Sequence, residues 1–178
     1  EAFSHCFALE SVNIPDSVIA IESYAFWNCS ALKNVTVPDS VTDIGYRIFD
    51  GCRSLIEKEG GVSYVGNLAI DADDDVETVV IREGTRMILN RAFCTNVHAT
   101  SPNTTLKSVT IPDSVTHIDT QAFYNCAALA QINLPDSVVS IGEEAFGKCK
   151  SITEITIPNG VESVGEDAFY GCESLMSV

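Results

Sequence analysis

Apolar residues along this chain fall on one recurring line. Leu32, Val35, Val37, Val41, Ile44 and Phe49 trace it once, and Leu129, Ile132, Leu134, Val138, Ile141 and Phe146 trace it again. The V-x-I pair within the line has the period of a strand, whose alternate side chains share one face. The proline that follows has no N–H to give to a ladder, so it ends or edges the strand, and the Pro-Asp-Ser step it opens reads as a turn. An Ala-Phe pair then recurs as Ala2-Phe3, Ala25-Phe26, Ala92-Phe93, Ala122-Phe123, Ala145-Phe146 and Ala168-Phe169, with Ile48-Phe49 in the remaining slot. The phenylalanine spacings are 23, 23, 44, 30, 23 and 23 residues, so a 23-residue unit is interrupted by one insertion of 21 residues and another of 7.

Self-similarity at such a period predicts a solenoid, in which each repeat buries its flat faces only against its neighbours. Equivalent phenylalanines then stack at about the 4.8 Å spacing of paired strands. At about 1.5 to 3 kcal/mol for each fully buried side chain, ladders of Leu, Val, Ile and Phe outweigh any single polar contact in the unit. The whole stretch 1–178 is expected to form a single solenoid of about seven units, two of them cut short. Leu9 and Val12 at one end and Leu175 and Val178 at the other belong to incomplete, uncapped units, so the natural protein is expected to be longer.

Two places break the period. Around 56–75, the run Gly61-Val62-Ser63-Tyr64-Val65-Gly66-Asn67-Leu68-Ala69-Ile70 sets two apolar segments about a Gly-Asn step, which predicts an inserted β-hairpin. Around 95–105, the segment Thr95 to Thr105 carries Pro102 among Ser, Thr and Asn residues and reads as a polar loop. Between them Val79-Val80-Ile81 resumes the strand, with Arg82 where other units carry proline.

The full line, L-x-x-V-x-I-P-D-S-V-x-x-I-x-x-x-A-F-x-x-C-x-x-L, resembles the BspA-type leucine-rich repeat, also called the Treponema pallidum type. The Ile-Pro-Asp-Ser-Val and Ala-Phe-x-x-Cys blocks carry the likeness over essentially the whole chain, and Gly61-Val62-Ser63-Tyr64 resembles the hairpin of extended units in that family. The resemblance implies a leucine-rich-repeat right-handed coil with a parallel β-sheet on its concave face and short turns or helical segments elsewhere. It also implies a microbial surface or secreted protein, with adhesins for host proteins among the relatives. Arg82 at the proline slot and Cys94, two residues early, depart from the pattern.

Charge narrows the partners. Ten basic against 25 acidic residues leave a net charge of −15, which repels phosphate backbones and anionic bilayers, so nucleic acid is not expected as a partner. No apolar run approaches the roughly 20 residues of a bilayer span, so direct membrane insertion by these residues is not expected either.

Candidate chemistry lies in columns. Cys6, Cys29, Cys52, Cys126, Cys149 and Cys172 each follow a unit phenylalanine by three residues, with Cys94 out of register. No C-x-x-C pair exists, and a disulfide needs a dihedral that a parallel ladder rarely supplies, so buried thiols acting as weak hydrophobes are expected. Asp16, Asp39, Glu83, Asp113 and Asp136, with Asn159, share one slot. Unit charges about 5 Å apart in water repel by only about 0.8 kcal/mol, and a turn role bonding backbone amides is expected in preference to a cation site. Ser17, Ser40, Ser114 and Ser137, with Gly84 and Gly160, read as a backbone-bonding ladder in the same turn.

No cofactor, metal or catalytic residue is expected: no Gly-x-Ser-x-Gly elbow, phosphate loop or His-Glu-x-x-His helix occurs, and His5, His98 and His117 lack partners at catalytic spacing. Asn28, Asn34 and Asn103 open glycosylation triplets, of which only Asn103 falls in an expected loop. The expected partner-binding face is the outward side of the concave strands: Ser11, Asn13, Asn34, Thr36, Ser108, Thr110, Gln131, Asn133, Glu154 and Thr156. These short polar side chains on a curved sheet suit a protein, or a glycan, as ligand. The competing reading is a spacer or stalk in a larger surface protein, with no ligand of its own.

Overall fold

Strand formation follows the β-branched triplets. The triplets Ser11–Asn13, Asn34–Thr36, Ser108–Thr110 and Gln131–Asn133 each set one apolar residue inward between two polar ones, and a proline turn follows two residues later, so these strands stay short. The computed structural model describes residues 1–94 and 101–178 and divides into two compact units. Unit 1 is Glu1–Glu57 with Tyr64–Asn67, and unit 2 is Lys58–Ser63 with Leu68–Val178. The fold is a β-solenoid with parallel sheets, its connecting segments are turns, and no helix occurs among the described residues.

In unit 1, β1 (Ser11–Asn13) and β3 (Asn34–Thr36) pair in parallel, Val12 beside Val35. Past the proline turn, β2 (Ala20–Ile21) and β4 (Asp43–Ile44) pair the same way, Ile21 beside Ile44. The inserted segment supplies β5 (Glu57–Glu59), β6 (Val62–Val65) and β7 (Leu68–Ala72), with Gly66-Asn67 between the last two. The division between the units runs through β6.

In unit 2 the first sheet is β8 (Thr78–Val80), β10 (Ser108–Thr110) and β12 (Gln131–Asn133), with Val79, Val109 and Ile132 in one row. The second sheet runs through β9 (Met87–Ile88), β11 (His117–Ile118), β13 (Ser140–Ile141) and β14 (Ser163–Val164), with β7 beside β9. The larger insertion therefore lends a strand to an existing row.

The core is the stack of Ala-Phe arcs. Phe26 lies between Phe3 at 5.4 Å and Phe49 at 5.7 Å in unit 1. Phe123 lies between Phe93 at 4.7 Å and Phe146 at 5.3 Å in unit 2, where Phe146 also stacks on Phe169 at 5.5 Å. The rings are within 14° of parallel, the offset arrangement that avoids repulsion of their faces.

Consecutive tight turns build each arc. The amides of Ala25, Trp27 and Cys29 donate within the arc, to the carbonyls of Glu22, Tyr24 and Phe26, while those of Tyr24, Phe26 and Asn28 donate to Tyr46, Ile48 and Asp50 of the next coil. Unit 2 repeats this alternation at Gln121, Phe123 and Asn125. Left-handed backbone two residues before and after the ladder phenylalanine turns the peptides over: φ is 59° at Tyr24 and Asn28, 57° at Gln121 and 61° at Asn125. Where Gly45, Gly142 and Gly165 stand, a Cβ would come within 2.2 to 2.4 Å of a backbone nitrogen in the preceding coil, so these three positions admit no side chain.

Candidate functional site

The first-sheet strands, β1 and β3 in unit 1 and β8, β10 and β12 in unit 2, position eight of the ten expected residues, while Glu154 lies on an isolated bridge to Ser177 and Thr156 on no strand. Because the central residue of each triplet points inward, its neighbours must point out. Nine of the ten expected residues are exposed and Ser108 is half-buried. None of their side chains makes a hydrogen bond or ion pair among the described residues. Each unit aligns its own share: Ser11 with Asn34 and Asn13 with Thr36 in unit 1, Ser108 with Gln131 and Thr110 with Asn133 in unit 2.

The same rows contain two residues that reading from sequence missed. Thr78 pairs with Ser108 and Val80 with Thr110. Both are exposed, Val80 to 65%. The insertion of 7 residues hid this register, although Val79-Val80-Ile81 itself marks the strand. Exposed ion pairs flank the strand starts, Lys33 to Glu10 at 3.4 Å and Lys107 to Glu77 at 2.8 Å. Such pairs contribute little to stability but keep the border of the face polar.

The cysteine column proves to be a ladder of hydrogen-bond donors. Cys29 Sγ donates to the Phe3 carbonyl at 3.1 Å and Cys52 to Phe26 at 3.0 Å. In unit 2, Cys126 donates to Phe93 at 3.3 Å, Cys149 to Phe123 at 3.1 Å and Cys172 to Phe146 at 3.1 Å. All seven cysteines are free thiols. Burial holds six of them protonated: it pushes Cys52 up to about 11 and Cys94 up to about 12, and raises Cys29, Cys126, Cys149 and Cys172 as well. A protonated thiol is a donor and a poor nucleophile, so the column is built for packing.

Asn103 takes the column's place in the coil that lacks an in-register cysteine. It bridges to Cys126 and lies 5% exposed, its Oδ1 accepting from the amides of Thr105 and Leu106 at 3.0 Å each. The expected polar loop holds this buried bracket at its end, which leaves Asn103 inaccessible as a glycosylation acceptor. The rest of that loop from Thr95, together with His98, lies outside the described residues up to position 100.

The turn columns behave as backbone fittings. Val18, Val41, Val115, Val138 and Val161 donate to the carbonyls of Pro15, Pro38, Pro112, Pro135 and Pro158 at 3.0 to 3.1 Å, and Thr85 donates to Arg82 at 3.3 Å, so the turn survives without its proline. Ser40 Oγ donates to Val18 O at 2.8 Å, Ser114 to Thr85 O at 2.8 Å and Ser137 to Val115 O at 2.7 Å. The acidic column stands exposed at the turn tips, and among the described residues no group of His, Cys, Asp and Glu is placed to hold a metal ion. No helix among them is long and apolar enough to cross a membrane.

Of the described histidines, His117 is half-buried on β11, where burial and then the Arg86 charge lower its pKa below the ordinary 6.5. His5 is exposed and packs edge-on against Trp27 at 4.7 Å. That contact belongs to an aromatic group that no expectation covered. Tyr24 meets Trp27 and Tyr46, each at 5.8 Å, and the Arg47 guanidinium lies 5.1 Å from the Tyr46 ring centre.

Against known proteins, the family described as BspA type Leucine rich repeat region matches residues 1–103 and 99–178, in six copies. No curated protein matches the chain. Among solved structures, a leucine rich cell surface protein from Faecalibacterium prausnitzii is 30% identical with a TM-score of 0.63, over 98% of this chain and 54% of that one. The leucine-rich repeat protein of T. pallidum is 27% identical with a TM-score of 0.50, over 94% of this chain and 67% of that one. One from Bacteroides capillosus shares the fold at 24% identity and a TM-score of 0.57, over 69% of this chain and 96% of its own. The chain thus spans about half the length of the Faecalibacterium protein.

Proposed function

The chain belongs to the BspA-type leucine-rich repeat family, and on that premise we propose that it is a non-catalytic, adhesin-like module of a bacterial surface or secreted protein that binds a protein partner through the exposed faces of the first-sheet strands in each of its units. The observation that carries this is the set of exposed polar side chains there, aligned coil by coil within each unit and free of hydrogen bonds among the described residues. Short side chains on paired strands have little rotamer freedom left to lose, so ordering them against a partner costs less than ordering long charged ones. Val80, exposed to 65% among them, offers an apolar contact inside a polar frame. The surface placement is supported by the Faecalibacterium protein, which is described as a cell surface protein.

The test is capture of host extracellular-matrix proteins by the immobilised chain. A variant joining Asn34→Arg, Thr36→Arg, Thr110→Arg and Asn133→Arg is expected to lower capture at least about tenfold, or about 1.4 kcal/mol, while its thermal melt stays close to that of the parent. Undiminished capture by the folded variant overturns the reading and leaves the chain as a spacer.

A further inference from the structure

A second surface, on the Ala-Phe arcs of unit 1, carries Tyr24, Trp27, Tyr46 and Arg47. All four are partly exposed, and Trp27 is the chain's single tryptophan. The rings meet at steep angles, 64° for Tyr24 with Trp27 and 82° for Tyr24 with Tyr46. The Tyr24 and Tyr46 hydroxyls and the Trp27 indole N–H make no hydrogen bond among the described residues.

The coil does not need these residues. In unit 2 the slot of Tyr24 holds Gln121, Glu144 and Asp167, all with the same left-handed φ, between 49° and 57°. A bulky aromatic at φ 59° is an uncommon and disfavoured choice. The angle recurs in coil after coil, so the ring at Tyr24 answers to the surface and not to the turn.

We propose that the Tyr24, Trp27 and Tyr46 cluster, with Arg47 at its edge, is a binding site for a neutral glycan. Aromatic faces take the apolar C–H face of a pyranose ring, and the unpaired tyrosine hydroxyls and indole N–H supply donors for its hydroxyl groups, beside an Arg47 guanidinium whose Nε pairs with Asp50 at 3.3 Å. The net charge of −15 opposes sialylated or sulfated chains. A peptide adding as a strand finds no free backbone here, because the Tyr24 amide donates to Tyr46 O at 2.9 Å and that of Asn28 to Asp50 O at 2.7 Å.

This site is separate from the first-sheet face, so either proposal can fail without the other. Trp27 emission gives a direct readout when the chain is titrated with gluco-, manno- and galacto-hexaoses and with sialyllactose. A saturable emission change is expected with at least one neutral hexaose and not with sialyllactose. Tyr46→Ala, or Arg47→Ala should that variant not fold, is expected to weaken binding at least about tenfold, and Tyr46→Phe to keep the larger part of it. Silence across the neutral panel up to about 10 mM, a preference for the sialylated sugar, or binding untouched in the folded variant overturns the proposal. Capture of a glycoprotein that survives removal of its glycans also overturns it, in favour of protein docking.

Discussion

Both units place left-handed backbone two residues before the ladder phenylalanines from Phe26 onward, and they fill that position differently. Unit 1 has Tyr24 and Arg47 there, and unit 2 has Arg91, Gln121, Glu144 and Asp167. In unit 2 these side chains join from coil to coil: Arg91 Nε donates to Gln121 Oε1 at 2.7 Å, and Gln121 Nε2 donates to the Glu144 carboxylate. In unit 1 the rings of the neighbouring slots gather, their polar tips making no hydrogen bond among the described residues, and Arg47 pairs within its own coil with Asp50 at 3.3 Å. The stack constrains what faces inward, whereas an outer slot answers only to its backbone angle, and differences between coils of like core belong to the surface.

The strongest test of the division is to open one core at a time. Phe123 is fully buried between two rings and Phe26 is 3% exposed between two more distant ones. Phe123→Ala is expected to cost about 3 to 5 kcal/mol, and Phe26→Ala to fall at the lower end of that range. Hydrogen exchange should show protection lost in β10 to β13 for the first and in β1 to β4 for the second. If either change strips both units equally, the two units unfold as one and the comparison has no energetic content.

Alkali separates the units by their thiols. Unit 2 holds four cysteines with raised pKa values, Cys94, Cys126, Cys149 and Cys172, and unit 1 holds two, Cys29 and Cys52. Their ordinary value is 9.0, so above it the unfolded chain releases protons that the fold retains. Stability is therefore complete below pH 9.0 and is lost as pH climbs toward about 11 at Cys52 and about 12 at Cys94. Exchange rates followed upward in pH should rise first in unit 2. A melting temperature that stays flat between about pH 8 and about pH 10.5 would show that the thiols are not protected by burial.

What was legible in the sequence was whatever recurs as a side-chain type. The phenylalanine ladder, the proline turn and the serine ladder each repeat one chemistry at one slot, and each stands where its spacing put it. The left-handed positions before the phenylalanine were invisible because Tyr, Arg, Gln, Glu and Asp share them, whereas the slot after it carries the Asn and Gly signal at Asn28, Gly51, Asn125 and Gly171. Asn103 and Thr78 were missed for a different reason: the 7-residue insertion lies between Phe93 and Asn103, so Asn103 keeps the 23-residue step to Cys126 but not the three-residue step from its own phenylalanine, and Thr78 stands 30 residues from Ser108. Ile44-Gly45, Ile141-Gly142 and Val164-Gly165 offered a signal for close approach of coils that a line of apolar residues alone does not capture. For the site, alternation along the strands predicted exposure well, since it follows from the pleat. The aromatic group required knowing which outer slots become neighbours.

The mildest test exchanges one buried slot. Val41 in unit 1 and Thr85 in unit 2 follow their turns at equivalent positions, and both are fully buried. The Thr85 hydroxyl has no hydrogen-bond partner among the described residues, so it carries a desolvation cost that a methyl group in its place does not. Ser114 bonds the Thr85 backbone carbonyl at 2.8 Å, which a side-chain change leaves intact. Thr85→Val is expected to stabilise by about 1 kcal/mol, raising the melting temperature by about 2 to 4 °C. Val41→Thr adds the same unpaired hydroxyl to unit 1 and is expected to destabilise by about 1 to 2 kcal/mol. If Thr85→Val lowers the melting temperature instead, the hydroxyl is engaged in solution, and the slot is polar in unit 2 for a reason that unit 1 does not share.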